Sequence, residues 1–80
     1  MRRDSAMSDL ITIDPETLGG TPVFKGTRVP VESLFDHLST GIGLAEFLDD
    51  FPSVTREQAL RVIEVAGHQF VQHLEHETVA

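Results

Sequence analysis

Cysteine is absent from this chain. That excludes a disulfide framework and any thiolate metal site, and it fits a reducing compartment. Long apolar runs are missing too: no stretch approaches the ~18 apolar residues that a membrane-spanning helix needs. The segment Met1–Asp9 carries Arg2 and Arg3 with no apolar stretch behind them, so it does not read as a secretory signal. We therefore expect a cytoplasmic protein with no membrane partner. Basic residues are scarce in the later part of the chain. Residues 32–80 hold nine acids against only Arg56 and Arg61, whereas residues 1–31 balance four acids with four bases. The whole net charge of −7 thus lies beyond residue 31. Such a balance counts against strong autonomous DNA binding, which depends on Lys and Arg neutralising phosphates. Two readings of the acidic part remain. It is a solvated surface that keeps the protein soluble, or a face that attracts a basic partner and steers its association.

Eighty residues make at most one domain. A chain this short buries only about 60–65% of its unfolded surface, so a second subunit or a partner would help to stabilise it. Three helices are legible. Val31, Leu34, Phe35 and Leu38 follow the i, i+3, i+4, i+7 spacing of one helical face. Pro30 is expected at the first helical position and Gly41 just past the end. Leu44, Phe47, Leu48 and Phe51 repeat that spacing in a shorter helix closed by Pro52, with Gly43 a weak cap. The third helix has the strongest start. Thr55 to Gln58 form a capping box, and Val54 and Ala59 are spaced as a hydrophobic staple. Ala59, Ile63, Ala66, Phe70 and Leu74 then make one stripe. Leu60, Val62, Val65 and Val71 widen it, so more than one side of this helix is expected to be buried, with a second subunit covering what one chain cannot.

Ahead of the helices lie two short β-prone runs, Leu10–Ile13 and Pro22–Phe24, the first ended by the turn opener Asp14-Pro15. The second sits within Gly19–Val31, which holds three glycines, two prolines, Lys25 and Arg28. Glycine supplies backbone angles that other residues avoid, and proline fixes φ near −65°. With Val23, Phe24, Val29 and Val31 among them, these residues read as an ordered turn-strand-turn rather than a linker. Gly26, where the chain must reverse, is expected to have a positive φ.

Ile11-Thr12-Ile13-Asp14-Pro15, Gly20-Thr21-Pro22 and Lys25-Gly26-Thr27-Arg28-Val29-Pro30-Val31 resemble the hallmark of the small prokaryotic family called domain of unknown function 433. The resemblance covers roughly Leu10 to Val71. Its structural motif residues here are Gly20, Pro22, Gly26, Thr27, Arg28 and Pro30. Thr21 stands where members often carry Lys, which removes a basic contact, and Phe24 stands where they often carry Ile. The family is described as antitoxin-like, of VapB type, and its genes often sit beside those of PIN-like ribonuclease toxins. The resemblance implies a mostly α fold: a homeodomain-like trihelical bundle (helix-turn-helix) with a short N-terminal β element. The number and size of the helices fit such a bundle, with Phe51–Thr55 as the turn. The expected organisation is a disordered leader at 1–9, one antitoxin-like domain at 10–76 and a tail at 77–80. Within the domain, 10–31 form the β element and Gly/Pro turn, and 32–76 the helices.

The candidate sites follow from that frame. A recognition helix would present Thr55, Arg56, Gln58 and Arg61, since Arg reads guanine and Gln adenine. Glu57 and Glu64 on the same helix favour the opposite reading, a solvated helix that never meets DNA. Lys25 and Arg28 flank backbone amides that suit a phosphate. The alternative there is a structural turn and inter-subunit contact. Glu46, Asp49 and Asp50 are the candidate toxin-binding residues. His68, His73, His76 and Glu77 have spacings that zinc can use, but the end of a helix also favours histidine through its dipole. No nucleophile with a base at readable spacing is present, so neither an enzyme nor a cofactor is expected. The resulting expectation is an antitoxin that neutralises a PIN-like ribonuclease as a homodimer, with operator DNA as a further partner. A protein-interaction or dimerisation module without DNA binding is the alternative.

Overall fold

Two dipeptide strands follow the helical pair Asp9-Leu10 in the structure, a computed structural model that describes residues 9–79, with side chains from 9 to 75. The expected leader lies outside the described residues except for Asp9. β1 (Ile11–Thr12) pairs antiparallel with β2 (Val23–Phe24), placing Ile11 opposite Phe24 and Thr12 opposite Val23. The first strand is shorter than Leu10–Ile13: Leu10 is helical and Ile13 is exposed. Val23 also bridges to Pro30, so β2 is paired on both sides. A two-stranded hairpin alone is marginal in water. Here Val23 and Phe24 are fully buried beneath the helices.

Between the strands the chain makes a left-handed turn at Leu18–Gly20, with φ of 51°, 66° and 93° at its three residues. Three helices follow: α1 (Val31–Ser39), α2 (Leu44–Asp50) and α3 (Arg56–Val79). The backbone of 77–79 thus continues α3, where a tail was expected from 77. Pro30 differs from expectation by one position. It precedes α1 with ψ of 138°, because its bridge to Val23 holds it extended. The end of α1 is as the sequence implies. Gly41 has φ of 91°, its N–H donates to Leu38 O, and the N–H of Ile42 donates to His37 O, the two bonds of a Schellman cap. At the start of α3 the N–H of Gln58 donates to Thr55 Oγ1 at 3.1 Å.

The core joins all these elements. Leu10, Phe24, Leu34, Phe47, Val54, Ala59 and Val62 form one buried cluster. Phe24 meets Phe47 with ring centroids 6.1 Å apart, and Phe47 meets Phe51 at 4.9 Å. Complete burial of a Phe side chain contributes roughly 1.5–3 kcal/mol, so Phe24 and Phe47 are the principal apolar anchors. Burial of α3 ends at Ala66, and every residue from 67 to 75 is exposed. The expectation that several sides of α3 are buried is therefore not met within one chain: Leu60, Phe70, Val71 and Leu74 are exposed. The body is too small to cover a helix of 24 residues, which spans about 36 Å.

Candidate interaction surfaces

The glycine- and proline-rich motif folds as a hairpin whose polar groups are used locally. Gly26 has φ of 81°, as the reversal requires. The N–H of Thr27 donates to Phe24 O at 3.0 Å, so Phe24–Thr27 is a β-turn with Gly26 at the position that needs positive φ. Thr27 locks it further: its hydroxyl donates to Phe24 O at 2.8 Å and accepts from the N–H of Val29 at 3.0 Å. The N–H of Lys25 donates to Leu10 O, and that of Val31 to Pro22 O, tying the motif to the first strand and to α1. Gly20 (φ of 93°) ends the left-handed turn ahead of Pro22. The side chains of Lys25 and Arg28 are exposed.

The candidate nucleic-acid residues divide in two. Lys25, Thr55, Gln58 and Arg61 line one open concavity of about 460 Å³, together with Asp9, Leu10 and Glu57. Arg56 and Arg28 are exposed but do not line it. The formal charges there cancel, Lys25 and Arg61 against Asp9 and Glu57. Arg61 also lies 3.8 Å from Glu64. Gln58 has a structural task that its sequence position does not announce. Its Nε2 donates to Lys25 O at 3.1 Å and Leu10 O at 3.4 Å, joining α3 to the motif hairpin. Its side chain is thus not turned back to complete the capping box.

The candidate toxin-binding acids Glu46, Asp49 and Asp50 are all exposed, and Asp50 Oδ2 also lies 3.5 Å from His37 Nε2. His37 was not singled out from the sequence. Its Nδ1 lies 2.9 Å from Ser33 O, and its ring stands edge-on to Phe47 and Phe51 at 5.3 and 5.5 Å. It fastens α1 to α2. Its place between Leu34 and Leu38 on the inward side of α1 was the available signal. His68 and His73 are exposed, and the side chains of His76 and Glu77 lie outside the described residues. Among the described residues no group of three potential ligands is placed to hold a metal ion.

A second feature was invisible from the sequence. Leu10, Ile11, Val31, Phe35, Val62 and Val65 line a surface groove of about 230 Å³ whose wall is apolar apart from Gln69. Its walls come from β1, α1 and α3, three segments far apart in the chain, so no local pattern could mark it. Among the described residues no helix is long and apolar enough to cross a membrane.

Comparison with known proteins places this arrangement among relatives. A Sinorhizobium fredii protein (strain NBRC 101917 / NGR234) described as "Uncharacterized protein y4eO" is 37% identical over 54 residues, which are 68% of this chain and 24% of that protein. The chain therefore spans about a quarter of that relative. A crystal structure of a DUF433 member from Anabaena variabilis ATCC 29413 superposes with a TM-score of 0.67 at 23% identity, covering 99% of this chain and 77% of the other. At that identity the likeness speaks for the fold alone. Residues 11–66 match the family described as "Protein of unknown function (DUF433)", from the first strand to the residue where burial of α3 ends. The chain belongs to that family.

Proposed function

We propose that this domain works by binding protein, as the antitoxin of a type II toxin–antitoxin pair: a cytoplasmic homodimer that neutralises a PIN-like ribonuclease. The observation that carries this reading is the apolar groove between β1, α1 and α3, open to solvent and of a size to receive side chains of a partner. Desolvated apolar contacts of this kind supply most of the affinity in protein interfaces. The −7 charge beyond residue 31 supplies the complement, since a nuclease that holds RNA presents basic residues. Glu46 and Asp49 are exposed and available for steering. The test is isothermal titration of this protein with the product of the adjacent gene. Binding that Val65→Asp abolishes, with circular dichroism unchanged, supports the groove. Undiminished binding by that variant removes the groove from the interface, and no binding by the wild type removes the antitoxin reading.

A second reading, operator binding by a homeodomain-like helix-turn-helix of α2 and α3, draws its support from Lys25, Thr55, Gln58 and Arg61 lining one concavity. It ranks second because Asp9 and Glu57 cancel the charge there and Gln58 is engaged by two backbone carbonyls. On this reading, mobility shift with the upstream DNA shows binding that falls with salt and weakens on Arg56→Ala. Absence of a shift with the toxin present leaves protein binding alone.

A further inference from the structure

Among the described residues β1 has an edge that no strand covers, and Ile11 joins that edge to the groove. The sheet runs β1-β2, and Pro30 bridges to the far side of β2, so the open edge belongs to β1. Bonding in an antiparallel ladder alternates from one residue to the next. The N–H of Lys25 donates to Leu10 O, and the N–H of Phe24 turns away from β1 to Val29 O. Leu10 and Thr12 therefore direct their backbone polar groups at β2, whereas the C=O of Ile11 and the N–H of Ile13 face the open edge. Among the described residues no backbone group bonds to Ile13, and Ile13 is 66% exposed. Ile11 lies level with the buried Phe24, on the sheet face turned to the helices, and there its side chain walls the apolar groove with Val31, Phe35, Val62 and Val65.

We infer that the edge and the groove receive one occupant together, an extended segment of the basic partner that adds to β1 as a third strand. Unpaired strand edges template such an addition. A strand laid beside β1, about 4.8 Å away, projects every second side chain to the same face as Ile11 and so into the groove. The C=O of Ile11 and the N–H of Ile13 bond its backbone, and the groove takes its alternate apolar side chains. Main-chain bonds then supply affinity and the groove supplies selectivity. Charge selects the occupant. No Lys or Arg occurs from residue 9 to 24 or from 29 to 55, which include all of β1 and α1. Glu32 and Asp36, next in the chain to Val31 and Phe35 of the groove, are exposed, as is Glu16 beyond β1. On the third wall, α3, Arg61 lies 3.8 Å from Glu64. The segment that fits carries apolar residues at alternate positions with Lys or Arg flanking them. A second copy of β1 fits poorly, because it brings Asp9, Asp14 and Glu16 to an edge already acidic.

The third strand comes from the toxin of the proposed function, so this inference rests on that reading. Its test is read at the backbone. Amide hydrogen exchange is followed by NMR on the full chain, alone and saturated with the product of the adjacent gene. Exchange at the N–H of Ile13 should slow by roughly tenfold or more in the complex. Ile13→Pro removes that donor at an exposed position and should weaken binding roughly three- to tenfold, whereas Ile13→Thr, which keeps the N–H, should bind as the wild type does. Glu32→Gln combined with Asp36→Asn should weaken binding most at low salt. A complex in which exchange at Ile13 is unchanged, or which Ile13→Pro forms as tightly as the wild type, overturns strand addition and leaves the groove contact probed by Val65→Asp standing. An unaltered salt dependence in the double variant overturns the basic character of the segment. No binding by the wild-type chain overturns this inference together with the reading beneath it.

Discussion

Replacing Gly26 by valine isolates the backbone requirement of the motif. Gly26 has φ of 81°, and a Cβ built there meets nothing within 4 Å, so the substitution introduces strain without a clash. Holding an L-residue in the left-handed region costs roughly 1–2 kcal/mol, and β-branching places valine at the upper end. Against this, losing glycine restricts the unfolded chain and returns about 0.4–1 kcal/mol. The net expectation is a loss of about 1–1.5 kcal/mol. The turn bond from Thr27 N–H to Phe24 O and the bonds of the Thr27 hydroxyl all depend on that conformation, so relaxing φ to negative values gives no escape. Urea unfolding followed by far-UV circular dichroism reads the effect. With m near 1 kcal/mol/M for so small a protein, the midpoint should fall by about 1–1.5 M at fixed protein concentration and unchanged m. Gly26→Asn should lose less, because asparagine tolerates this region best among non-glycine residues. A midpoint for Gly26→Val equal to that of the wild type would show that the turn does not hold Gly26 left-handed.

Leu18 offers the converse case: at φ of 51° and half exposed, it carries strain with little packing to lose, so Leu18→Asn should raise stability by about 0.5–1 kcal/mol in the same urea assay. Gln58→Glu sets two effects in opposition, a gain of about 0.3–1 kcal/mol from a carboxylate in the first turn of α3 and a loss of about 1–3 kcal/mol from an acceptor facing the carbonyls of Leu10 and Lys25. A net loss near 1 kcal/mol is expected, and a stabilised variant would mean that the link to the hairpin is idle. Reversing Asp49 and Asp50 to Lys should slow association with the toxin and flatten its salt dependence while leaving dissociation nearly unchanged, as stopped-flow measurement would show.

The helices were legible because each carries its own period and its own ends. Gly41 and Thr55 announce caps that the backbone then makes, and the turn at Gly26 follows from a reversal that only glycine makes without strain. What escaped the sequence was whatever depends on distant segments meeting. Pro30 looks like a first helical residue, but its pairing with Val23 holds it extended. Gln58 looks like part of a capping box or a base-reading amide, yet its side chain reaches carbonyls 33 and 48 residues away. His37 looks incidental until α2 brings Phe47, Asp50 and Phe51 against it. The stripe on α3 was visible as apolar spacing, but spacing cannot tell a covered face from one left in solvent. The size of the body decides that, and it ends at Ala66.

The most direct measurement of the antitoxin reading is the ribonuclease activity of the adjacent gene's product, titrated with this protein on a fluorescent RNA. The proposed function predicts a loss of activity that is complete near equimolar ratio and that Val65→Asp largely abolishes. Full ribonuclease activity in the presence of a large excess of the folded wild-type chain would contradict it.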